Sequence, residues 1–175
     1  MSIEARAARI RLLVLDVDGV LTDGVVIMHA DGTESKGFHI RDGAAIVWAQ
    51  RLGIPVALLS ARASGATSQR AAQLAIRTVV QGAGNKLQGY EQIVRDAGLA
   101  DDQVAFMGDD LLDLPVLMRV GLAGVPADAA AEVIEAAHWV SSRPGGRGAV
   151  REFIEMVLRA QGRWADVVRE YRPGP

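Results

Sequence analysis

The chain has no cysteine among its 175 residues, so disulfides, thiolate nucleophiles and zinc–thiolate sites are excluded. It has no block of lysine and arginine; the net charge is −2 with both signs interspersed, which offers no surface for nucleic acid or an anionic membrane. No stretch approaches the ~20 apolar residues of a membrane helix. The first apolar run is short and ends in Asp16 and Asp18, unlike a signal peptide. The expected setting is the cytoplasm, with neither membrane nor nucleic acid as partner. Aromatic residues are scarce at 5%, while half of all residues are hydrophobic. That excess is Ala, Val and Leu, a composition that fills both faces of a buried parallel sheet. The length favours one compact domain over residues 1–175, large enough to bury roughly 70% of its unfolded surface without a covalent staple.

Along the chain, short aliphatic runs alternate with helical patterns. Ile10 to Leu15, Pro55 to Leu59, Thr78 to Val80, Val104 to Met107, Leu122 to Val125 and Trp139-Val140 read as strands. Helices are expected over Gly43 to Leu52 (stopped by Gly53), Ser64 to about Leu74, 86–97 (ended by Gly98), and Leu111 to about Arg119. Val25 to His29 and Thr33 to Phe38 flank Ala30-Asp31-Gly32 and predict a hairpin over about 25–38. Apolar residues at i, i+3, i+4, i+7 spacing from Val150 to Tyr171, broken at Gly162, predict a helical tail over about 148–175. The fold class is therefore α/β, a mainly parallel sheet flanked by helices. Ligands of such sheets sit outside the carboxyl ends of the strands. Polar clusters at 16–18, 60–62, 85–86 and 108–113 all fall at that edge, so four separate segments converge on one crevice.

Asp16 and Asp18 lie two residues apart past the first strand and point the same way in an extended segment. They suit one group that attacks and binds metal beside another that moves protons, although turn and cap chemistry alone also explains an Asp-x-Asp. Ser60-Ala61-Arg62 offers a hydroxyl and a backbone N–H to phosphate oxygens, or simply an ordinary helix N-cap arrangement involving Ser60 or Ser64. Lys86 sits in the first turn of a helix, where a cation opposes the helix dipole by ~0.3–1 kcal/mol. That placement makes sense if an anion binds between the lysine and the helix N-terminus. Asp109, Asp110 and Asp113 put three carboxylates within five residues. Such a cluster suits Mg²⁺, which takes oxygen ligands and retains waters that further carboxylates orient.

In this order the motifs resemble those of the haloacid dehalogenase superfamily phosphatases: Asp-x-Asp-x-Val (Asp16, Asp18, Val20), Ser60, Lys86, then Gly-Asp-Asp-x-x-Asp (Asp109, Asp110, Asp113). The longer run Asp16–Gly24, the segments Lys36-Gly37-Phe38 and Ile40-Arg41-Asp42-Gly43, and the late stretch Gly145 to Glu152 resemble the 3-deoxy-D-manno-octulosonate 8-phosphate phosphatases and their nonulosonate 9-phosphate relatives. The resemblance implies a Rossmann-like, capless fold with a protruding β-hairpin, a homotetramer, a sugar phosphate substrate and Mg²⁺. It implies that Asp16 attacks phosphorus, that Asp18 handles the proton, and that Asp16, the Asp18 backbone carbonyl and Asp109 hold the metal, with Asp110 and Asp113 behind them. Ser60 and Lys86 would stabilise the phosphoryl oxygens, with the Ala61 backbone beside them. Arg41, Arg62 and Arg147 are candidates for a substrate carboxylate, since a planar fork suits that group, though each also fits a solvated surface arginine. One departure is Ala61, where the family usually has Gly. If the backbone there needs φ > 0, alanine is strained by ~1 kcal/mol or more. A signalling receiver domain also combines Asp, Lys and Mg²⁺, but its acidic pair and phosphoacceptor come in a different order. A non-catalytic binding protein on the same fold would not need all four motifs intact.

Overall fold

The computed structural model describes residues 1–172; the end of the predicted tail, 173–175, lies outside the described residues. Six parallel strands form one sheet: β1 (Leu12–Leu15), β4 (Val56–Leu59), β5 (Thr78–Val80), β6 (Val104–Met107), β7 (Leu122–Val125) and β8 (Trp139–Val140), in the order β5-β4-β1-β6-β7-β8. Successive side chains leave a strand on opposite faces, and here both faces are covered. Leu13, Leu15, Val56, Leu58, Ala105 and Met107 enter one core with α1 (Ile3–Ala7), α2 (Ile40–Arg51), α3 (Gly65–Gln73) and α7 (Ala149–Ala160). Leu12, Val14, Ala57, Leu59, Val104 and Phe106 enter a second core with α4 (Lys86–Ala97), α5 (Leu114–Leu117) and α6 (Ala131–Ala136). This is why the strands read as unbroken aliphatic runs and not as alternating ones.

Several expectations shift in detail. The hairpin forms, but its paired strands shrink to β2 (Ile27–Met28) and β3 (Glu34–Ser35), with Val25, Ile27 and Met28 exposed. Little holds a longer ladder, since of this arm Phe38 packs against the first core while Val25, Ile27 and Met28 stay outside both. Helix α2 begins three residues before the expected start, at Ile40. The helix expected over 111–119 is a 3-10 turn at Leu111–Asp113 followed by the four residues of α5. Pro115 lacks an N–H, and Asp113 is drawn out of the helical register by partners described below. The tail divides at Gly162 into α7 and α8 (Trp164–Tyr171). There Trp164 packs edge-on against Trp48 at 5.8 Å, and the Arg151 guanidinium lies 4.4 Å from the Trp48 ring centre.

Asp42 of α2 caps a different helix. Helix α7 starts at Gly148, which has no side chain to cap it, and Asp42 of α2 accepts the Arg151 N–H at 2.7 Å. Ala75 shows the opposite economy. After α3, Ile76 N donates to Ala71 O and Ala75 N to Ala72 O, the paired bonds that close a helix around a left-handed residue. Gly53 fills that slot after α2 at φ 78°, whereas after α3 it is Ala75 at φ 54°. Ala75→Gly is expected to raise stability by about 0.5–1 kcal/mol, the left-handed penalty less the added chain entropy. The urea midpoint should rise at constant slope; an unchanged or lower midpoint would show that Ala75 carries no strain.

Candidate active site

The four polar clusters meet at the carboxyl edge of the sheet around a cleft of about 280 Å³ lined by Asp16, Asp18, Ser60, Ala61, Arg62, Lys86, Asp109 and Asp110. Asp16 continues the ladder past β1, its N–H bonded to Met107 O at 2.9 Å, so its Cβ direction is set by the sheet. The residue as a whole is 5% exposed. Oδ1 accepts the Val17 N–H at 2.7 Å and Oδ2 takes the Lys86 Nζ at 2.6 Å. Lys86 is the first residue of α4, whose N-terminus is capped by Asn85 accepting from Gln88 N. The same ammonium donates to Asp113 Oδ1 at 2.6 Å, and Asp113 Oδ2 accepts the N–H groups of Asp109 and Asp110 at 3.0 and 3.2 Å. Asp113 is therefore committed to Lys86 and to the loop backbone, while Asp110 is exposed and accepts from Leu111 N. Gly19, at φ 85°, lies against Asp109 so closely that any side chain there would run into the carboxylate.

Three carboxylates, Asp16, Asp109 and Asp113, bring oxygens within 4.8 Å of one another with one ammonium among them. Burial pushes the Asp16 carboxyl up to about 7, aided by Asp113 and opposed by Lys86. Burial also pushes Asp109 up to about 8, aided by Asp16 and Asp113. Burial alone would lower Lys86, but the facing Asp16 and Asp113 outweigh it and its proton is held more tightly than usual. Asp109 Oδ1 is buried and has no hydrogen-bond partner among the described residues. An excess of buried carboxylate charge beside an unpartnered oxygen suits a hard divalent cation. Asp16 and Asp109, which line the cleft, are the side chains available to it, whereas Asp113 lies fully buried behind them.

Such a cation needs ionised ligands, so its uptake should release protons below pH about 8 and tighten as pH rises. Calorimetric titration of Mg²⁺ in buffers of different ionisation enthalpy reads that release directly. Affinity independent of pH from 6 to 8 would contradict the raised carboxyls.

A family pattern described as haloacid dehalogenase-like hydrolase matches residues 67–154. The chain is 43% identical over 159 residues to the 3-deoxy-D-manno-octulosonate 8-phosphate phosphatase KdsC of Escherichia coli K12, covering 91% of this chain and 85% of that protein. The chain belongs to the haloacid dehalogenase-like hydrolases. The crystal structure of the Yersinia pestis 3-deoxy-D-manno-octulosonate 8-phosphate phosphatase superposes with a TM-score of 0.92 at 40% identity, covering 93% and 88% of the two chains. The Moraxella catarrhalis phosphatase of the same name, in complex with magnesium ion, phosphate ion and KDO, superposes with a TM-score of 0.95 at 30% identity, over 97% and 98% of the two chains. The Rossmann-like fold expected of this hydrolase family is the fold observed.

For this hydrolase the candidate residues divide into two groups. Asp16, Asp18, Ser60, Ala61, Arg62, Lys86, Asp109 and Asp110 line the cleft, with Asp113 behind it. The Ser60 hydroxyl donates to Arg62 O at 3.1 Å and accepts from Arg62 N at 3.2 Å, a small closed turn under the cleft. Ala61 is not strained, because among the described non-glycine residues only Ala75 has positive φ. Arg41 and Arg147 fall elsewhere. They line a separate basic cavity of about 750 Å³ with His39, Arg143, Arg151 and Glu152, and Arg147 reaches Asp23 at 3.4 Å. A further groove of about 700 Å³ beside α2 and α3, lined by Val47, Pro55 and Leu74, carries Arg51 and Arg77 but no carboxylate or imidazole.

Lys36, which carried part of the resemblance but was not a candidate site residue, also reaches the site. Its Nζ lies 2.7 Å from Asp18 Oδ1 with the side chain fully out of solvent. Composition carried a trace of it. Of 19 basic residues only two are lysines, Lys36 and Lys86, and both contact carboxylates at this cleft.

Proposed function

We propose that the chain is a Mg²⁺-dependent phosphomonoester hydrolase that works through an aspartyl-phosphate on Asp16, with 3-deoxy-D-manno-octulosonate 8-phosphate as substrate in the synthesis of lipopolysaccharide precursors. One observation carries the reaction. Asp16 is buried, yet it lines the cleft with Lys86 held 2.6 Å from the oxygen that does not bond the backbone. The substrate rests on the relatives, which share 30–43% identity over most of the chain.

Asp16 attacks phosphorus in line with the departing alkoxide, and Asp18 donates the proton that oxygen needs. Asp18 then withdraws a proton from the water that hydrolyses the acyl phosphate. Lys86 and the Ser60–Arg62 turn present positive charge and N–H groups to the transferring oxygens, where preorganised donors lower the barrier most. Asp16 and Asp109 would hold the metal with the Asp18 carbonyl, Asp110 and Asp113 supporting them. When bound, the ion neutralises the repulsion between carboxylate and phosphate. Assembly as a homotetramer belongs to the same proposal, supported by the exposed Val25, Ile27 and Met28 of the hairpin. So does a cytoplasmic location.

Phosphate release from a panel of sugar phosphates, with Mg²⁺ and with EDTA, tests the reading. Metal-dependent preference for the octulosonate 8-phosphate is expected. Preference for a nonulosonate 9-phosphate would keep the mechanism and move the substrate. Silence across the panel would overturn both.

A further inference from the structure

The return arm of the hairpin delivers a buried cation that none of the steps above employs. Lys36 follows β3, and its ammonium sits 2.7 Å from Asp18 Oδ1 and 3.8 Å from Glu34 Oε1. The other Glu34 oxygen pairs with Arg62 at 2.9 Å. The chain Asp18–Lys36–Glu34–Arg62 thus ties the loop after β1, the hairpin and the loop after β4 together across the cleft. A desolvated ammonium is costly unless paired, and in a chain that otherwise uses arginine almost throughout, this position is lysine. The difference has a physical reading. Arginine would fix a carboxylate in a rigid fork, whereas an ammonium holds it by charge and lets it pivot. The contact has that character: Asp18 Oδ1 and Lys36 Nζ are close, but neither atom has an aligned hydrogen bond.

We infer that Lys36 is a positioning residue: it holds Asp18 Oδ1, leaves the other carboxyl oxygen to carry the proton to the leaving oxygen, and ties that group to the hairpin. The inference rests on Asp18 being the acid of the proposed reaction. A structural staple would affect every substrate alike. A positioning residue for the acid would matter only where the leaving group needs a proton.

The test uses the full-length, Mg²⁺-loaded enzyme and compares kcat/KM for a sugar phosphate with kcat/KM for p-nitrophenyl phosphate, whose phenolate departs unprotonated. Lys36→Met is expected to lower the first by about 10- to 100-fold, mainly in kcat, a part of what a general acid supplies. The second should fall by less than about threefold. Lys36→Arg should restore part of the sugar phosphate rate, and Asp18→Asn should show the same discrimination more strongly. Lys36→Gln, which keeps a donor in the buried position, gives the same comparison should methionine there prevent folding. Equal losses on both substrates, or no loss on either, would overturn the role of Lys36 alone. A wild-type enzyme that ignores every alkyl phosphate would overturn the phosphatase reading and this inference with it.

Discussion

Asp16→Asn should cut turnover by at least about 10³-fold, because no other group in the cleft is placed to form the covalent intermediate. The fold should survive. Asparagine is isosteric, keeps an acceptor for Val17 N, and removes a carboxylate that burial and Asp113 already disfavour in its charged form. It also weakens one of the two contacts to Lys86. These changes oppose each other, so the metal-free melting temperature should stay within about 4 °C, or roughly 1 kcal/mol. The pH dependence of stability is more telling. With its carboxyl raised to about 7, folded Asp16 keeps a proton that the unfolded chain has already released at lower pH. Stability of the metal-free protein therefore falls as pH rises from the ordinary carboxylate range to about 7. Asp16→Asn should flatten that decline in melts between pH 5 and 8. A variant that retains near wild-type turnover would remove Asp16 from the mechanism.

Lys86→Met should damage both activity and fold. The lysine is the cation between two buried carboxylates, Asp16 and Asp113, each 2.6 Å away. Removing one member of a buried ionic cluster leaves its partners uncompensated and typically costs about 3–5 kcal/mol. Loss of a charge aimed at the transferring oxygens should lower kcat by about 10²–10³-fold. Mg²⁺ should recover part of the stability, because it brings positive charge to the same carboxylates, but not the rate. Thermal melts with and without Mg²⁺, beside steady-state rates, separate the two effects. A variant as stable as wild type without metal would mean that the three groups do not carry the charges described.

How much of this was legible beforehand depends on how local the signal is. Strands buried on both faces appear as aliphatic runs, and those of β1, β4 and β6 end in the polar residues that line the cleft, so the convergence could be read directly. Lys86 was legible because it contradicts the helix dipole. Asp113 was legible as an acid, but not as the group that clamps Lys86 to the Asp109–Asp110 backbone, since that depends on how the 3-10 turn closes. Lys36 escaped because its partner Asp18 lies across the base of the hairpin, and nothing in the intervening residues announces the contact. Arg41 and Arg147 show the limit of chemical analogy. A guanidinium suits a carboxylate anywhere, but only the packing of α2 against α7 decides which cavity the two residues face.

The scarcity of lysine gives the molecule an unusual chemical profile. The side chains of Lys36 and Lys86 are 0% and 4% exposed, whereas Met1 is 74% exposed. In the folded state an amine-reactive dye or crosslinker therefore finds neither lysine side chain open to it. Labelling of Lys36 or Lys86 becomes a count of molecules whose hairpin or cleft has opened, a measure of local unfolding that needs neither a substrate nor an engineered probe.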